Sequence, residues 1–168
     1  TAGTIQQSVS GVTQVIGAGE IRLSSGQVLG GSLLNSTTGI IRSASGTSRI
    51  NTLTNPVGGQ VIVDNATTLA LQGTLTNNGS IAVNGAGGGT RLGIEGAVTP
   101  LGTGSVTLAS SSDGTLGWGS DALTDLLVNP HQTIEGKGAI DVRLTNQADG
   151  TVRANVSGQT LGMYRNVT

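Results

Sequence analysis

The sequence predicts an all-β fold, a right-handed parallel β-helix in which a single chain coils around one aliphatic core. Three observations predict it: short alternating apolar segments between turn residues, an imperfect internal repeat, and a near absence of aromatic side chains. The apolar spacing of amphipathic helices is almost missing. We expect residues 1–168 to form one solenoid segment that belongs to a longer chain.

The composition excludes several other classes of protein. Phe is absent, Trp and Tyr occur once each, and 29 residues are glycine, so the core must be built from Val, Ile, Leu and Ala. Charged residues make up 10%, too few for a chain kept disordered by charge. The net charge is −1 and the basic residues are scattered, which argues against a nucleic-acid partner. Because cysteine is absent, the chain forms neither disulfides nor thiolate metal sites.

The apolar segments have the length and alternation of β-strands. Clear examples lie at residues 60–63, 68–71, 80–83, 91–94 and 105–108. Residues typical of turns, such as Gly, Asn, Ser and Asp, punctuate the chain between them. This pattern favours many short strands over a few long ones.

An internal repeat carries more weight than composition. Its unit is Leu-x-Asn or a close variant, a short spacer, Gly and an alternating strand; residues 34–43 match residues 145–154, and residues 75–83 are a shortened copy. A second apparent match joins residues 15–23 to residues 133–144. The two matches together make Arg42 equivalent to Arg153, and Arg22 equivalent to Arg143. Imperfect repeats with turn residues at fixed offsets indicate a solenoid.

Each part of the repeat has a physical role in a stack of coils. We expect the Leu to point inward, the Asn side chain to bond the next Asn along the axis, and the Gly to occupy a positive φ. At about 20 residues per coil the chain would form roughly eight coils. Stacked at about 4.8 Å per coil, these would make a rod of about 40 Å.

One segment departs from the pattern. Residues 120–130 contain a Ser/Asp start, three leucines and a terminating Pro. The segment predicts either a short helix near 121–128 or another strand before a turn, and short apolar runs do not separate these alternatives.

Several motifs resemble the repeats of bacterial exported β-helix proteins, namely autotransporter passenger domains and filamentous-haemagglutinin-like adhesins. They are residues 133–140 (TIEGKGAI), 144–146 (LTN), 150–154 (GTVRA) and 75–81 (LTNNGSI). The resemblance implies a structural and adhesive rod module, extracellular or on the bacterial cell surface. Its partners would be host-cell or matrix glycans or proteins, or copies of itself. Any link to the outer membrane would be an anchor domain outside this segment.

The sequence is also compatible with two other functions. Unpaired strand edges at the ends of a solenoid favour a fibre subunit that stacks end to end. A carbohydrate-active lyase or hydrolase would need two facing carboxylates, and coil stacking could bring Glu135 to Asp113.

The leading expectation is a protein that is not an enzyme, without catalytic residues, cofactor or metal. His131 follows a Pro-led turn and lacks the nearby nucleophile context of a catalytic histidine. Trp118 lies between two glycines, either exposed as a contact residue or covering aliphatic surface. We name Trp118, Arg91 and His131 as the candidate contact surface.

Overall fold

The computed structural model describes residues 4–6, 8, 10–110 and 114–166. Within these residues the chain has nineteen strands and no helix, and every strand pairing is parallel. In chain order the strands are β1 (Thr4–Gln6), β2 (Val12–Gln14), β3 (Glu20–Ser24), β4 (Gln27–Leu29), β5 (Ser32–Leu34), β6 (Ile40–Ser45), β7 (Thr47–Asn55), β8 (Gln60–Val63), β9 (Thr68–Asn77), β10 (Ser80–Val83), β11 (Thr90–Ile94), β12 (Ala97–Val98), β13 (Ser105–Ala109), β14 (Gly114–Trp118), β15 (Leu126–Asn129), β16 (Thr133–Asp141), β17 (Arg143–Asn146), β18 (Thr151–Ala154) and β19 (Leu161–Met163).

The strands form three parallel stacks, one on each face of the coil. The first face contains β1, β4, β11, β14, β19 and one half each of β7, β9 and β16. The second face contains β2, β5, β12, β15, β17 and the other halves of β7 and β9. The third face contains β3, β6, β8, β10, β13, β18 and the other half of β16. The fold is therefore the predicted β-solenoid, with three strands per coil.

Coil length is regular in the first half of the chain; in the second half two coils are longer and the last, at 18 residues, is shorter. Successive partners on the third face are Glu20, Ile40, Gln60, Ser80, Ser105, Thr133 and Thr151. The first three steps are 20 residues each, and the next two are 25 and 28 because loops are inserted. The chain makes about seven coils rather than the predicted eight. At about 4.8 Å per coil they stack to about 34 Å.

Rows of aliphatic side chains fill the interior along the solenoid axis. One row on the third face consists of seven β-branched residues, Ile21, Ile41, Val61, Ile81, Val106, Ile134 and Val152. The five central members are at most 7% exposed. Burial of each such side chain contributes about 1.5–3 kcal/mol, so the rows together replace an aromatic core.

Asparagine side chains form a polar row inside the solenoid, where the second face turns toward the third. Asn35 Nδ2 donates to Asn55 Oδ1 at 2.8 Å, and Asn55 Nδ2 donates to Asn77 Oδ1 at 2.8 Å. Two coils further on, Asn129 Nδ2 donates to Asn146 Oδ1 at 2.8 Å. The predicted amide ladder is confirmed, and it satisfies buried polar groups that would otherwise destabilise the core.

The ladder has a gap in the fifth coil, where the pairing of Thr76 with Leu101 places Gly102 opposite Asn77. Gln132, from the next coil, fills this gap. Its Oε1 accepts a hydrogen bond from Asn77 Nδ2 at 2.7 Å, and its Nε2 donates to the backbone oxygens of Asn77 and Gly102 at 3.0 and 2.6 Å. The backbone N–H of Gln132 donates to Asn129 Oδ1 at 2.9 Å, so this residue joins the two parts of the ladder.

The glycine of the repeat has a different role from the predicted one. We expected a positive φ, but Gly39, Gly59 and Gly79 lie outside that region. A Cβ at Gly79 would lie 2.3 Å from Gly59 O and 2.7 Å from Asn55 Nδ2. Glycine is required at Gly79 because backbone oxygens of the preceding coil, together with the ladder amide, leave no room for a side chain. Gln132 takes this glycine position in the sixth coil, beside the coil that lacks the asparagine.

Strand register confirms one of the two predicted repeats and corrects the other. Arg42 and Arg153 occupy equivalent positions of the third face, as the Leu-x-Asn repeat predicts. Arg22 and Arg143 are not equivalent, because Arg22 lies in β3 on the third face and Arg143 begins β17 on the second. The second match fails because β16 runs from the third face into the first without a turn, whereas residues 15–23 contain one.

Ion pairs on the third face join successive coils. Arg42 contacts Glu20 of the preceding coil at 3.0 Å and Asp64 of the following coil at 2.7 Å. Arg153 contacts Glu135 at 2.6 Å in the same way. Because these pairs lie at the surface and remain partly exposed, each contributes about 0–1 kcal/mol, and their main effect is to favour one register.

The segment near 121–128 is a turn followed by a strand, so the helix alternative is wrong. The turn ends with the N–H of Asp125 donating to Asp121 O at 2.9 Å, and β15 begins at the next residue. Leu127 then points into the core at 4% exposure, between its partners in β12 and β17. Parallel pairing on both sides therefore outweighs the local helical signal.

Candidate ligand-binding face

Both aromatic residues of the chain lie at the first face. Trp118 ends β14, and Tyr164 follows β19, the next strand but one in the same stack. Two of the arginines, Arg49 and Arg91, lie in strands of this face, and Arg165 lies two residues after β19. Since Trp, Tyr and Arg are enriched in binding surfaces, the first face is the candidate site.

Arg91 and Trp118, two of the three predicted contact residues, touch each other. The Arg91 Cζ atom lies 4.8 Å from the centroid of the indole, and Nη1 donates to Trp118 O at 3.2 Å. The contact is a cation–π pair across neighbouring strands, worth about 0.5–1 kcal/mol where it is partly exposed. It holds a flat, half-buried indole at the edge of the face.

The two glycines beside Trp118 make room for neighbouring groups. A Cβ at Gly117 would lie 3.3 Å from Arg91 Nε, so the arginine crosses the strand over this glycine. A Cβ at Gly119 would lie 2.4 Å from Glu95 Cγ and 2.9 Å from Ile94 O. The two glycines therefore leave room for Arg91 on one side of Trp118 and for Glu95 and the Ile94 backbone on the other.

Asp125 fixes the loop that follows Trp118. Its carboxylate is buried and accepts hydrogen bonds from the backbone N–H groups of Gly96, Gly119, Ser120 and Asp121 at 2.6, 3.0, 2.7 and 2.8 Å. Burial by itself would raise the pKa of this carboxyl, but the hydrogen bonds outweigh burial and lower the pKa below its ordinary value. The loop is thus held by an ionised side chain, whose hydrogen bonds to backbone N–H groups take the place of those in a strand or helix.

The carboxylates nearest Trp118 are engaged within the protein. Glu95 contacts Arg49 Nε at 2.9 Å, and its side chain is 10% exposed. The Asp125 carboxylate accepts hydrogen bonds from four backbone N–H groups. Glu135 lies on the third face and contacts Arg153, whereas Asp113, its predicted partner in a catalytic pair, lies outside the described residues. No group of three or more His, Cys, Asp or Glu side chains that could hold a metal occurs among the residues described.

His131, the third predicted contact residue, lies away from the other two. It occupies the exposed turn between the second and third faces, with Nδ1 3.7 Å from Asp149 Oδ2. Both side chains are at least half exposed, so the contact is weak. The structure therefore assembles Arg91 and Trp118 and leaves His131 separate.

Sequence reasoning missed a groove where the first and second faces meet, at the end of the described chain. Its lining residues are Ala122, Leu123, Arg143, Tyr164, Arg165 and Asn166, and its volume is about 530 Å³. Three separate segments contribute to it, so no local motif could reveal it. The one available signal was the second aromatic residue, Tyr164, in a chain with only two.

Comparison of the chain with protein-family models, with curated proteins and with solved structures finds no match. Among the residues described, no helix is long and apolar enough to cross a membrane. The fold and the site together define the class of protein: a three-faced parallel β-solenoid with an aromatic and arginine-bearing face.

Proposed function

We propose that the chain is a rigid rod module of an exported bacterial surface protein, with a structural and adhesive role and no catalysis. The observation that supports this best is continuity along the axis. Aliphatic rows and the amide ladder run from coil to coil, so each inner coil is held by neighbours on both sides. The resemblance of its repeats to those of exported adhesins points the same way.

A solenoid suits a display role because its strands are paired on both sides within the stack. The side chains that face outward are then free to vary, and ligands bind to a surface that does not rearrange. On the first face these side chains include the Arg91–Trp118 pair and Tyr164. We propose host-cell or matrix glycans or proteins as the partners of this face.

The test is adhesion of beads that carry the purified chain to arrays of glycans and matrix proteins under flow. We expect retention that is lost when Trp118 and Tyr164 are both replaced by Ala. The matched control is Arg22→Ala, which removes a side chain that is 62% exposed on the third face. Retention on no surface, or equal retention of all variants, would exclude adhesion through the first face.

End-to-end assembly is a second candidate function, favoured by apolar side chains exposed on the outermost coils. Val12 and Ile16 in the first coil are 55% and 76% exposed, and Met163 in β19 is 49% exposed. Strand edges with apolar side chains template the addition of further strands. Sedimentation over a range of concentrations should show association that Ile16→Asp reduces; a monomer at all concentrations would exclude it.

A further inference from the structure

Two arginines, Arg143 and Arg165, line the groove between the first and second faces. Arg143, the first residue of β17, donates from Nη1 to Leu123 O at 3.0 Å. None of the ion pairs formed by the described residues involves Arg143. Arg165, on the opposite wall, is neutralised by Asp141 at 2.8 Å. The groove thus contains one guanidinium group without a carboxylate, and a guanidinium binds carboxylate in a planar, bidentate geometry.

The groove also has an apolar surface held in place. Tyr164 is 68% exposed and Leu123 is 75% exposed. The Tyr164 ring lies over Gly162, where a Cβ would be 2.7 Å from ring atom Cε2, so the glycine allows the ring to lie against the strand. An aromatic face of this kind packs against the C–H groups of a sugar ring.

Backbone contacts fix the walls before any ligand arrives. The N–H of Tyr164 donates to Ile140 O at 2.9 Å, and the N–H of Leu144 donates to Asn166 O at 3.1 Å. The opposite wall is the loop held by Asp125 and by Arg143. A site that is ordered in advance loses less entropy when it binds.

We propose that this groove binds a carboxylated saccharide. The carboxylate contacts Arg143, the sugar ring packs on Tyr164 beside Leu123, and hydroxyl groups bond the Asn166 amide. The volume of about 530 Å³ suits one or two sugar rings and lies in the range of small-ligand sites. This proposal rests on the proposed adhesive function, because it names the class of ligand that the surface would bind. Binding of the saccharide by the isolated chain is measured independently of adhesion.

The test is titration of the full chain with an oligogalacturonate about four sugars long, followed by amide NMR shifts. The comparison ligand is the same oligosaccharide with its carboxyl groups reduced. We expect shifts at residues 122–123, 143 and 164–166, and little response to the neutral ligand. Arg143→Ala should weaken binding about tenfold or more, Arg143→Lys less because charge remains, and Tyr164→Ala severalfold. Arg22→Ala, the matched exposed arginine, should change affinity less than about twofold.

Several results would overturn the proposal. The proposal fails if the amide shifts map to another face or if the oligogalacturonate does not bind. It also fails if Arg143→Ala and Arg22→Ala lose affinity equally. Equal affinity for a tetraglutamate peptide would show that the groove selects acidic groups and not sugars. Binding of the oligogalacturonate without bead adhesion would refute the adhesive function and leave the groove assignment standing. Bead adhesion that is unchanged by Arg143→Ala, with no binding in solution, would refute the groove assignment and leave the adhesive function standing.

Discussion

Gln132 is a buried polar side chain whose truncation should destabilise the interior. It is 2% exposed and bridges the coil in which Gly102 replaces the ladder asparagine. Truncation to Ala removes four hydrogen bonds: the one from Asn77 Nδ2, and those to the backbone oxygens of Asn77, Leu101 and Gly102, of which the bond to Leu101 is the longest at 3.4 Å. It also enlarges an apolar cavity of about 20 Å³ that Gln132 lines.

The expected loss of stability follows from these contacts. Each lost hydrogen bond contributes about 1 kcal/mol net, and a buried partner left unsatisfied adds to this. With the enlarged cavity included, the free energy of unfolding should fall by about 3–5 kcal/mol. For a chain of this length the melting temperature should fall by roughly 10 °C. Gln132→Glu should lower the free energy of unfolding further at neutral pH, because a carboxylate would face three carbonyl oxygens.

Urea unfolding followed by the fluorescence of the single tryptophan, together with circular dichroism, measures this loss. The matched control is His131→Ala, the adjacent exposed residue, whose pair with Asp149 is weak and whose loss should change stability by less than about 1 kcal/mol. If Gln132→Ala is as stable as His131→Ala, Gln132 does not bridge the ladder and our explanation of the Gly102 position is wrong.

Three further predictions concern the loop, the glycines and the cation–π pair. Asp125→Asn should destabilise the chain at neutral pH. Because the pKa of Asp125 is lowered in the folded state, the difference in unfolding free energy between wild type and variant is full above about pH 5 and shrinks as the pH falls below about 4. Urea titrations at several pH values measure this difference. Gly79→Ala should reduce stability, measured by thermal unfolding, several times more than Gly96→Ala, because a Cβ at Gly79 meets backbone. Gly96 has a φ of +71° and open space around it, so the loss of stability expected for Gly96→Ala is about 1 kcal/mol. Arg91→Ala should shift the emission of Trp118 while reducing stability by no more than about 1 kcal/mol; an unchanged spectrum would contradict the contact.

The parts of the fold that repeat were predictable from the sequence. The inward Leu, the bonding Asn and the alternating strand each leave a periodic signal, and the register of Arg42 with Arg153 follows from it. The equivalence of Arg22 and Arg143 failed for a physical reason. Short apolar and glycine-rich segments have similar sequences whether they lie on one face of the solenoid or run from one face to the next. Only the pairing of the strands shows which of the two a segment does.

The role of the repeat glycine could not be predicted from one coil. A positive φ is a property of a single turn, but the clash that excludes a side chain at Gly79 involves Gly59 and Asn55 of the preceding coil. The groove at Arg143 and Tyr164 escaped notice for the same reason. Its walls come from segments about 20 residues apart, one coil in a solenoid, and no local motif records that distance.

The exchange at Gly102 and Gln132 shows how a solenoid tolerates local change. The fifth and sixth coils carry the insertions that lengthen the repeat, and here the ladder loses its asparagine. Without compensation, the amide of Asn77 would keep only its long bond to Ser105 O, at 3.4 Å. The glycine position one coil later admits a longer side chain because the ladder beside it is empty, and Gln132 reaches into that space. The inserted loop after Trp118, which forms one wall of the groove, therefore coexists with an unbroken polar interior.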